Sequence, residues 1–431
     1  MSPAIRGHVS RDALPVLSHL LFEEPAILLE GPRGSGKSTL LREIAAARDA
    51  RVIDLDDESV VGFVQQDPTT ALTHPGLVAV DEFQRVPAVL SVVKRIVDRS
   101  GEPGRFLLAG SVSSRLLPTG AETLTGRVHR MLLPPLSTAD IVGGQSRLLG
   151  TLLNEGDPLP IASAWRRPDY FEFLAAGGYP AALTRPTTNS RRRWFASYLG
   201  SVAERDLPQV TDIRRPGALP RLYRLIAQQT STVVGRTALG EQLGLAPSTA
   251  RAYLDLLTHV YLVHDLPGWT VGISAKASRR PKIHVTDTGL AAAAIAADGH
   301  RLASGQLAEL FLESYVVSEL TKQAILIDEP LTLAHFRDRS GIEVDIIIER
   351  PDGRVIAIEV KSATTTNQAD ARGLRFLSDR LGDRLQAGLL LHTGPLTARL
   401  SERIWATPVS ALWGGTPPAH VAVPGDDVDR L

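Results

Sequence analysis

Polar and apolar positions alternate little over the first quarter of the chain, where short runs are apolar throughout. Ala26-Ile27-Leu28-Leu29, Leu77-Val78-Ala79-Val80 and Phe106-Leu107-Leu108-Ala109 have no polar interruption. That is the pattern of strands buried on both faces of a parallel sheet. Arg51-Val52-Ile53-Asp54-Leu55 is a shorter strand ending in an acidic turn, and Leu14, Leu17, Leu20 and Leu21 recur at helical spacing in the lead-in to Glu24. A helix-forming run, Leu40 to Arg48, follows the first strand.

Helical periodicity dominates the middle of the chain. Tyr170 to Ala182 and Arg191 to Leu207 read as helices joined by a Pro/Thr-rich loop at Arg185 to Asn189. From Leu219 to Asp265 the pattern is helix, helix, turn, helix and short strand. It contains a short helix at Thr237 to Leu243, a Gly-Leu-Ala-Pro turn and an amphipathic helix from Ser248, with Leu254 and Leu257 facing inward. Leu310 to Leu320 is helical. A hairpin then follows, with strands Gly341 to Ile348 and Val355 to Lys361 around the turn Pro351-Asp352-Gly353.

At 431 residues the chain is too long for one core, so about two to four domains are expected. Hydrophobic content of 43% and charged content of 22% are ordinary for a globular protein, and the formal net charge is zero. Nucleic-acid affinity must then come from local patches. Without cysteine, disulfides and cysteine-ligated zinc are excluded, which fits a reducing compartment. The longest apolar candidate, Leu290 to Ala297, is far short of the ~18 residues of a membrane span, and the N-terminus has no charged-then-apolar signal pattern. A cytoplasmic location without a membrane partner is expected.

The first buried strand runs into Gly31-Pro32-Arg33-Gly34-Ser35-Gly36-Lys37-Ser38-Thr39. A triphosphate needs a ring of backbone N–H donors, and glycine lets the chain curl closely enough to aim them. With a strand before and a helix after, G-x-x-x-x-G-K-S reads as an ATP-binding P-loop. Lys37 reaches the β- and γ-phosphates, Ser38 offers its hydroxyl to Mg²⁺, and the helix N-terminus faces the anion. The second buried strand delivers Asp81-Glu82 at its carboxyl end, a Walker B pair. Asp81 would hold the Mg²⁺ shell and Glu82 would orient and deprotonate the attacking water. The third strand ends in Gly110-Ser111, where Ser111 is either a sensor of the γ-phosphate or a turn serine. Arg127 is either an arginine finger reaching a neighbouring copy's site, which would make the chain a homo-oligomer, or a structural cation.

The basic residues are overwhelmingly arginine, and the lysines are Lys37, Lys94, Lys276, Lys282, Lys322 and Lys361. Lys37 and Lys361 sit inside chemical motifs, where a compact ammonium cannot be exchanged for a guanidinium. Arg191, Arg192, Arg193 and Arg205 make the most basic region, read as a solvated helix face or, for Arg205, a phosphate contact. The helix from Ser248 presents Ser248, Thr249 and Arg251, with Arg279 and Arg280 nearby. These groups suit phosphates and base edges if the helix-turn-helix meets DNA, and packing is its other use. On the terminal hairpin, alternation puts Glu343 and Asp345 on one face and Glu359 and Lys361 on one face. A turn centred on Asp352 sets Asp345 across from Glu359, with Cβ atoms about 5 Å apart. Facing carboxylates repel, and a divalent cation is the usual remedy. The alternative is a surface hairpin with Lys361 paired to Glu343.

The strand-P-loop-helix unit, "VDEFQRVP", "LLAGS", "LTGR" with "LPPLS", "GGYPAAL" at Gly177 to Leu183, "ERDL" at Glu204 to Leu207 and "DTGL" at Asp287 to Leu290 resemble a widespread prokaryotic family of AAA-type ATPases with a C-terminal domain of unknown function. The resemblance implies an α/β protein with a P-loop AAA-type core (1–155), a helical lid or linker (156–214), a winged helix-turn-helix (215–275) and a restriction-endonuclease-like α/β terminal domain (276–431). One departure is a glycine, Gly305, lying further upstream of the helix glutamate than is usual in the family. The D…E-x-K spacing is similar to the PD-(D/E)xK nucleases. That likeness implies that Asp345 and Glu359 hold Mg²⁺ with help from Glu313, and that Lys361 serves the attacking water. The function expected is ATP hydrolysis coupled to DNA cleavage or processing. The alternative is a nucleotide-controlled DNA- or protein-binding switch with a non-catalytic nuclease-like domain.

Overall fold

Five short strands, β1 (Ala26–Glu30), β2 (Arg51–Asp54), β3 (Val78–Asp81), β4 (Phe106–Gly110) and β5 (His129–Leu132), pair in the order β2-β3-β4-β1-β5. Every pairing is parallel. The computed structural model describes residues 3, 5, 7–116, 126–207, 217–270 and 280–415. All residues of β1, β3 and β4 are buried, which is why these segments show no polar alternation. Ile27 and Leu29 pack with the Ala13–Glu23 and Lys37–Ala47 helices on one face. Ala26 and Leu28 pack with the Ala88–Ser100 helix on the other. β5 has no counterpart in the apolar runs. It is an edge strand with half-exposed His129 and exposed Arg130, so nothing demanded a continuous apolar sequence.

Helices Arg167–Ala176, Thr188–Ser201, Ala218–Gln228, Arg236–Gln242 and Pro247–His259 follow. After them comes an antiparallel pair, β6 (Val263–Leu266) and β7 (Lys282–Val285). The helix expected to run from Tyr170 to Ala182 instead stops at Ala176. Gly177 turns to φ 70°, and a short helix, Pro180–Leu183, resumes beyond the turn. The next helix begins at Thr188 and widens into a π-turn at Val202–Asp206. Arg191 does not lie on a solvated face. It is 3% exposed and donates to the carbonyls of Pro3 (3.0 Å) and Ala182 (3.4 Å). The side chain of Arg205 lies outside the described residues.

The last unit is a mixed sheet of β8 (Thr332–Arg337), β9 (Glu343–Glu349), β10 (Val355–Lys361), β11 (Leu385–His392), β12 (Ala398–Arg399) and β13 (Ile404–Pro408), ordered β12-β13-β11-β10-β9-β8. β10 runs antiparallel to β9 and parallel to β11. The register pairs Val355 with Glu349 and Ile358 with Ile346, so its next step brings Glu359 opposite Asp345. The helix Gln306–Ile325 starts directly after Gly305. The segments after residue 155 share a core. One contiguous buried cluster includes Tyr170, Leu222, Leu254, Phe311, Ile346, Ile358 and Trp413. Among the described residues no helix is long and apolar enough to cross a membrane.

Two of the short motifs meet inside this core. The buried carboxylate of Asp287 accepts the Gly178 N–H at 2.7 Å and caps the Thr288–Ala294 helix through the Leu290 N–H at 2.8 Å. The backbones approach so closely that a Cβ on Gly289 would lie 2.5 Å from the Gly177 nitrogen. Asp287→Ala strands two buried donors, so urea unfolding is expected to show a loss of about 2–4 kcal/mol. A loss below about 0.5 kcal/mol would mean that this junction contributes little.

Candidate functional site

The β-strand order sets the carboxyl ends of β1, β3 and β4 side by side, and each supplies part of one site. The loop after β1 is shaped by two close constraints. Gly36 takes φ 102° at the N-cap of the Lys37–Ala47 helix, and a Cβ on Gly31 would meet the Leu133 carbonyl oxygen at 2.2 Å. Lys37 is buried, and its Nζ donates to the Gly31 and Pro32 carbonyls, both at 2.9 Å. The ammonium is thereby folded back along the loop, within reach of a phosphate that replaces those carbonyls. Arg33 and Thr39 are exposed, and the buried Ser35 Oγ has no hydrogen-bond partner.

Asp81 closes β3 and is buried. Burial pushes its carboxyl up, against a hydrogen bond from the Ser38 hydroxyl. A hydroxyl and an acidic oxygen in contact beside Lys37 are the donor set that suits Mg²⁺ with a phosphate. Glu82 follows at φ 53°, ψ 45°, a left-handed conformation for a non-glycine residue that aims its side chain at the loop. Its Oε2 accepts from the Ser111 hydroxyl at 2.9 Å and from the Gln84 amide, which also donates to Ser111 Oγ at 3.0 Å. Ser111, at the end of β4, therefore touches Glu82 directly.

A cavity of about 330 Å³ opens over the loop, lined among others by Lys37, Ser38, Thr39 and Glu82. Its apolar side comes from Ile5, Val9, Leu136, Pro180 and Ala181. The segment read from sequence as a lid thus reaches the site through its Pro180 turn. Arg11 crosses beneath, donating to the carbonyls of Ser35 (2.9 Å) and Pro134 (2.8 Å) and pairing with Asp140 at 3.2 Å. Arg127 lies apart from this cavity, ion-paired with Asp98 of the Ala88–Ser100 helix.

The terminal hairpin gathers the second set of residues. Glu313 from the Gln306–Ile325 helix and Glu343 and Asp345 from β9 surround an ammonium, and that ammonium belongs to Lys282 of β7. Its Nζ lies 2.8 Å from Glu313 Oε1, 2.7 Å from Glu343 Oε1 and 3.2 Å from Asp345 Oδ1. Burial alone would lower the Lys282 pKa; Asp345, Glu313 and Glu343 outweigh it and hold the charge. Burial, reinforced by Asp345, pushes the Glu313 carboxyl well up, while the Lys282 ammonium opposes that shift. Asp345 Oδ2 accepts the Val360 N–H at 3.0 Å. Lys361 pairs with Glu359 at 2.7 Å and not with Glu343, and Glu359 Oε2 is buried without a partner. Burial and Asp345 push Glu359 up to about 8.

A divalent ion does not fit this cluster as built, because three carboxylates already share the Lys282 ammonium. Among the described residues no three acidic, imidazole or thiol side chains converge as metal ligands. The carboxylate of Asp345, expected from sequence to face a metal with Glu359, instead faces the ammonium of Lys282 from a strand outside the hairpin.

In the helix-turn-helix segment, Ser248 and Arg251 are exposed and Thr249 is half-buried; Arg279 lies outside the described residues. The Arg280 carbonyl accepts from His335 Nε2 at 3.0 Å, which anchors the start of β7.

An AAA domain model matches residues 23–142, and two domains of unknown function, DUF8612 and DUF4143, match 167–301 and 309–412. The chain is 30% identical over 408 residues to the uncharacterized proteins Rv2008c of Mycobacterium tuberculosis and Mb2031c of Mycobacterium bovis, covering 93% of this chain and 84% of each of theirs. The chain belongs to the family of these mycobacterial proteins. Within it, residues 23–142 form an AAA-type ATPase domain, and the site over the P-loop is its nucleotide site. In overall shape the chain has a TM-score of 0.43 with the Walker-type ATPase PABY2304 of Pyrococcus abyssi, at 16% identity over 68% of this chain and 98% of that one. The RuvB Holliday junction branch migration motor of Thermotoga maritima gives a TM-score of 0.29, at 17% identity over 60% of this chain and 90% of that one.

Sequence reasoning missed Arg11, Gln84 and Lys282. Nothing local marks Arg11, whose partners lie on remote loops. Gln84 stands two residues beyond the Walker B glutamate, near enough for its amide to be suspected. Lys282 carried the signal already used for Lys37 and Lys361, a lysine kept in an arginine-biased chain.

Glu82→Gln is expected to bind ATP and lose turnover by about 100-fold or more, whereas Lys37→Ala loses binding itself. Steady-state phosphate release with fluorescent-nucleotide titration separates the two, and unchanged turnover in Glu82→Gln would remove Glu82 from the reaction.

Proposed function

We propose that this chain is an ATP-hydrolysing switch in which the nucleotide state governs a DNA contact made by the helix-turn-helix, and that its nuclease-like terminal unit acts as a structural partner. The observation behind this reading is a hydrogen bond. Beyond β4, the Ser113 N–H donates at 3.0 Å to the carbonyl of His259, the last residue of the Pro247–His259 helix. The next N–H, of Ser114, donates at 2.7 Å to Glu30 Oε1 at the end of β1. Ser111, two residues before, holds Glu82. A change at Glu82 on phosphate arrival or release therefore has a short covalent and hydrogen-bonded route to the helix that presents Arg251. A cavity of about 380 Å³, bounded in part by Glu30, Pro32, His259 and Tyr261, leaves room for that helix end to move.

At the nucleotide site, Lys37 and the loop N–H groups bind and orient the phosphates, and Glu82, freed from Ser111 and Gln84, takes the proton of the attacking water. Ser38 and Asp81 are the residues that would hold Mg²⁺, which neutralises phosphate charge when bound. DNA cleavage by the terminal unit is the second reading, favoured by the unpartnered Glu359 Oε2 beside Lys361.

The switch makes DNA affinity depend on nucleotide. Duplex binding followed by fluorescence anisotropy should differ about tenfold between a slowly hydrolysed ATP analogue and ADP, the size of an ordinary coupling energy. Affinity should fall steeply with salt, and Arg251→Ala should weaken it and reduce the salt slope by about 1. Identical affinity in both nucleotide states would sink the switch. Indifference to Arg251→Ala would move the contact to another surface.

A further inference from the structure

The cation of the terminal carboxylate cluster comes from neither the hairpin nor the helix that supply the carboxylates. It is delivered by β7, the strand paired with β6 just beyond the helix-turn-helix. Lys282 is 3% exposed and lies within hydrogen-bond distance of Glu313, Glu343 and Asp345 at once. Three N–H donors on a compact ammonium can meet three separate carboxylates, whereas a planar guanidinium would favour one bidentate partner. In a chain whose basic residues are mostly arginine, this position is a lysine.

We propose that Lys282 is a resident cation capping a latent divalent-metal site. The ammonium and the metal ion exclude each other, and the carboxylates of Asp345, Glu359 and Glu313 accept an ion only when Lys282 is withdrawn. A divalent ion takes oxygen ligands at about 2.0–2.6 Å. Placed against Asp345 Oδ1 and Glu313 Oε1, it would lie against the Nζ that now sits 3.2 Å and 2.8 Å from those same oxygens. The exclusion is thus steric as well as electrostatic. The remaining capacity for an ion is visible in Glu359, whose Oε2 is buried and unpartnered while its Oε1 holds Lys361. His284, on the same strand two residues on, is no substitute cation. Its Nε2 lies 3.8 Å from Glu313 Oε1, and its Nδ1 is engaged with the Ser231 and Ser314 hydroxyls. The cap holds whether or not the DNA contact is governed by nucleotide, since it depends only on β7 remaining against the Gln306–Ile325 helix and β9.

Mn²⁺ binding to the full-length, nucleotide-free chain, followed by electron paramagnetic resonance, tests the cap. Wild type should bind no Mn²⁺ that depends on Asp345. Lys282→Met should gain one Mn²⁺ site at least about tenfold tighter than anything in wild type, and Lys282→Met/Asp345→Asn should lose it. If Lys282→Met does not fold, Lys282→Met/Glu343→Gln removes one acidic partner of Lys282 that is outside the ligand set and should show the same gain. Retained ATP binding reports that the variants are intact. An Asp345-dependent site in wild type would overturn the exclusion. A folded Lys282 variant that gains no Mn²⁺ would overturn the latent site.

Discussion

The organisation depends on one buried carboxylate. Asp287 holds the Gly178 N–H and the start of the Thr288–Ala294 helix together, and the two chemical centres lie to either side of that contact. Two and three residues beyond Gly178, Pro180 and Ala181 line the nucleotide cavity. Two residues before Asp287, β7 ends, and its first residue is Lys282. A carboxylate with two short bonds to backbone donors inside a close-packed core tolerates little displacement. The Pro180 turn at the nucleotide cavity and the end of β7 are thus tied to one another through a single buried side chain.

The nucleotide site itself is held in a restrained state. Glu82 sits in a left-handed backbone conformation, and its carboxylate is engaged by Ser111 and Gln84. Both donors are neutral and the acceptor is a carboxylate, so each bond is worth about 1.5–3 kcal/mol. A γ-phosphate and its water can compete with interactions of that size. Ser111 holds Glu82 and Ser113 holds His259, so the Walker B glutamate and the end of the Pro247–His259 helix meet the same short stretch of chain.

At the other end, charge and burial oppose each other. Four acidic side chains on the terminal sheet and its helix are drawn into a poorly solvated region, and one ammonium from β7 and one from Lys361 offset them. Removing either partner of such a set generally costs more than the set contributes, because the remaining charges are left buried. The cluster therefore fixes where β7 meets the terminal unit, by direction and charge.

The features legible in the sequence are those in which a local pattern has a local cause. Buried parallel strands need unbroken apolar runs, a phosphate loop needs its glycines and lysine at fixed spacing, and a two-stranded hairpin sets its own register, so β1, β3, β4, Lys37, Asp81 and the approach of Asp345 to Glu359 follow from neighbouring residues alone. Family likeness extended this to the AAA-type domain. Tertiary structure decided the rest. The break at Gly177 follows from its contact with Asp287, some hundred residues away, and Arg191 is buried because the distant backbone of Pro3 accepts from it. Arg127 finds Asp98, and Lys282 reaches three carboxylates on two elements well along the chain. Periodicity and spacing report which residues share a face. Which charge fills a buried gap depends on elements brought together only by folding, and in this chain that charge is a lysine from β7.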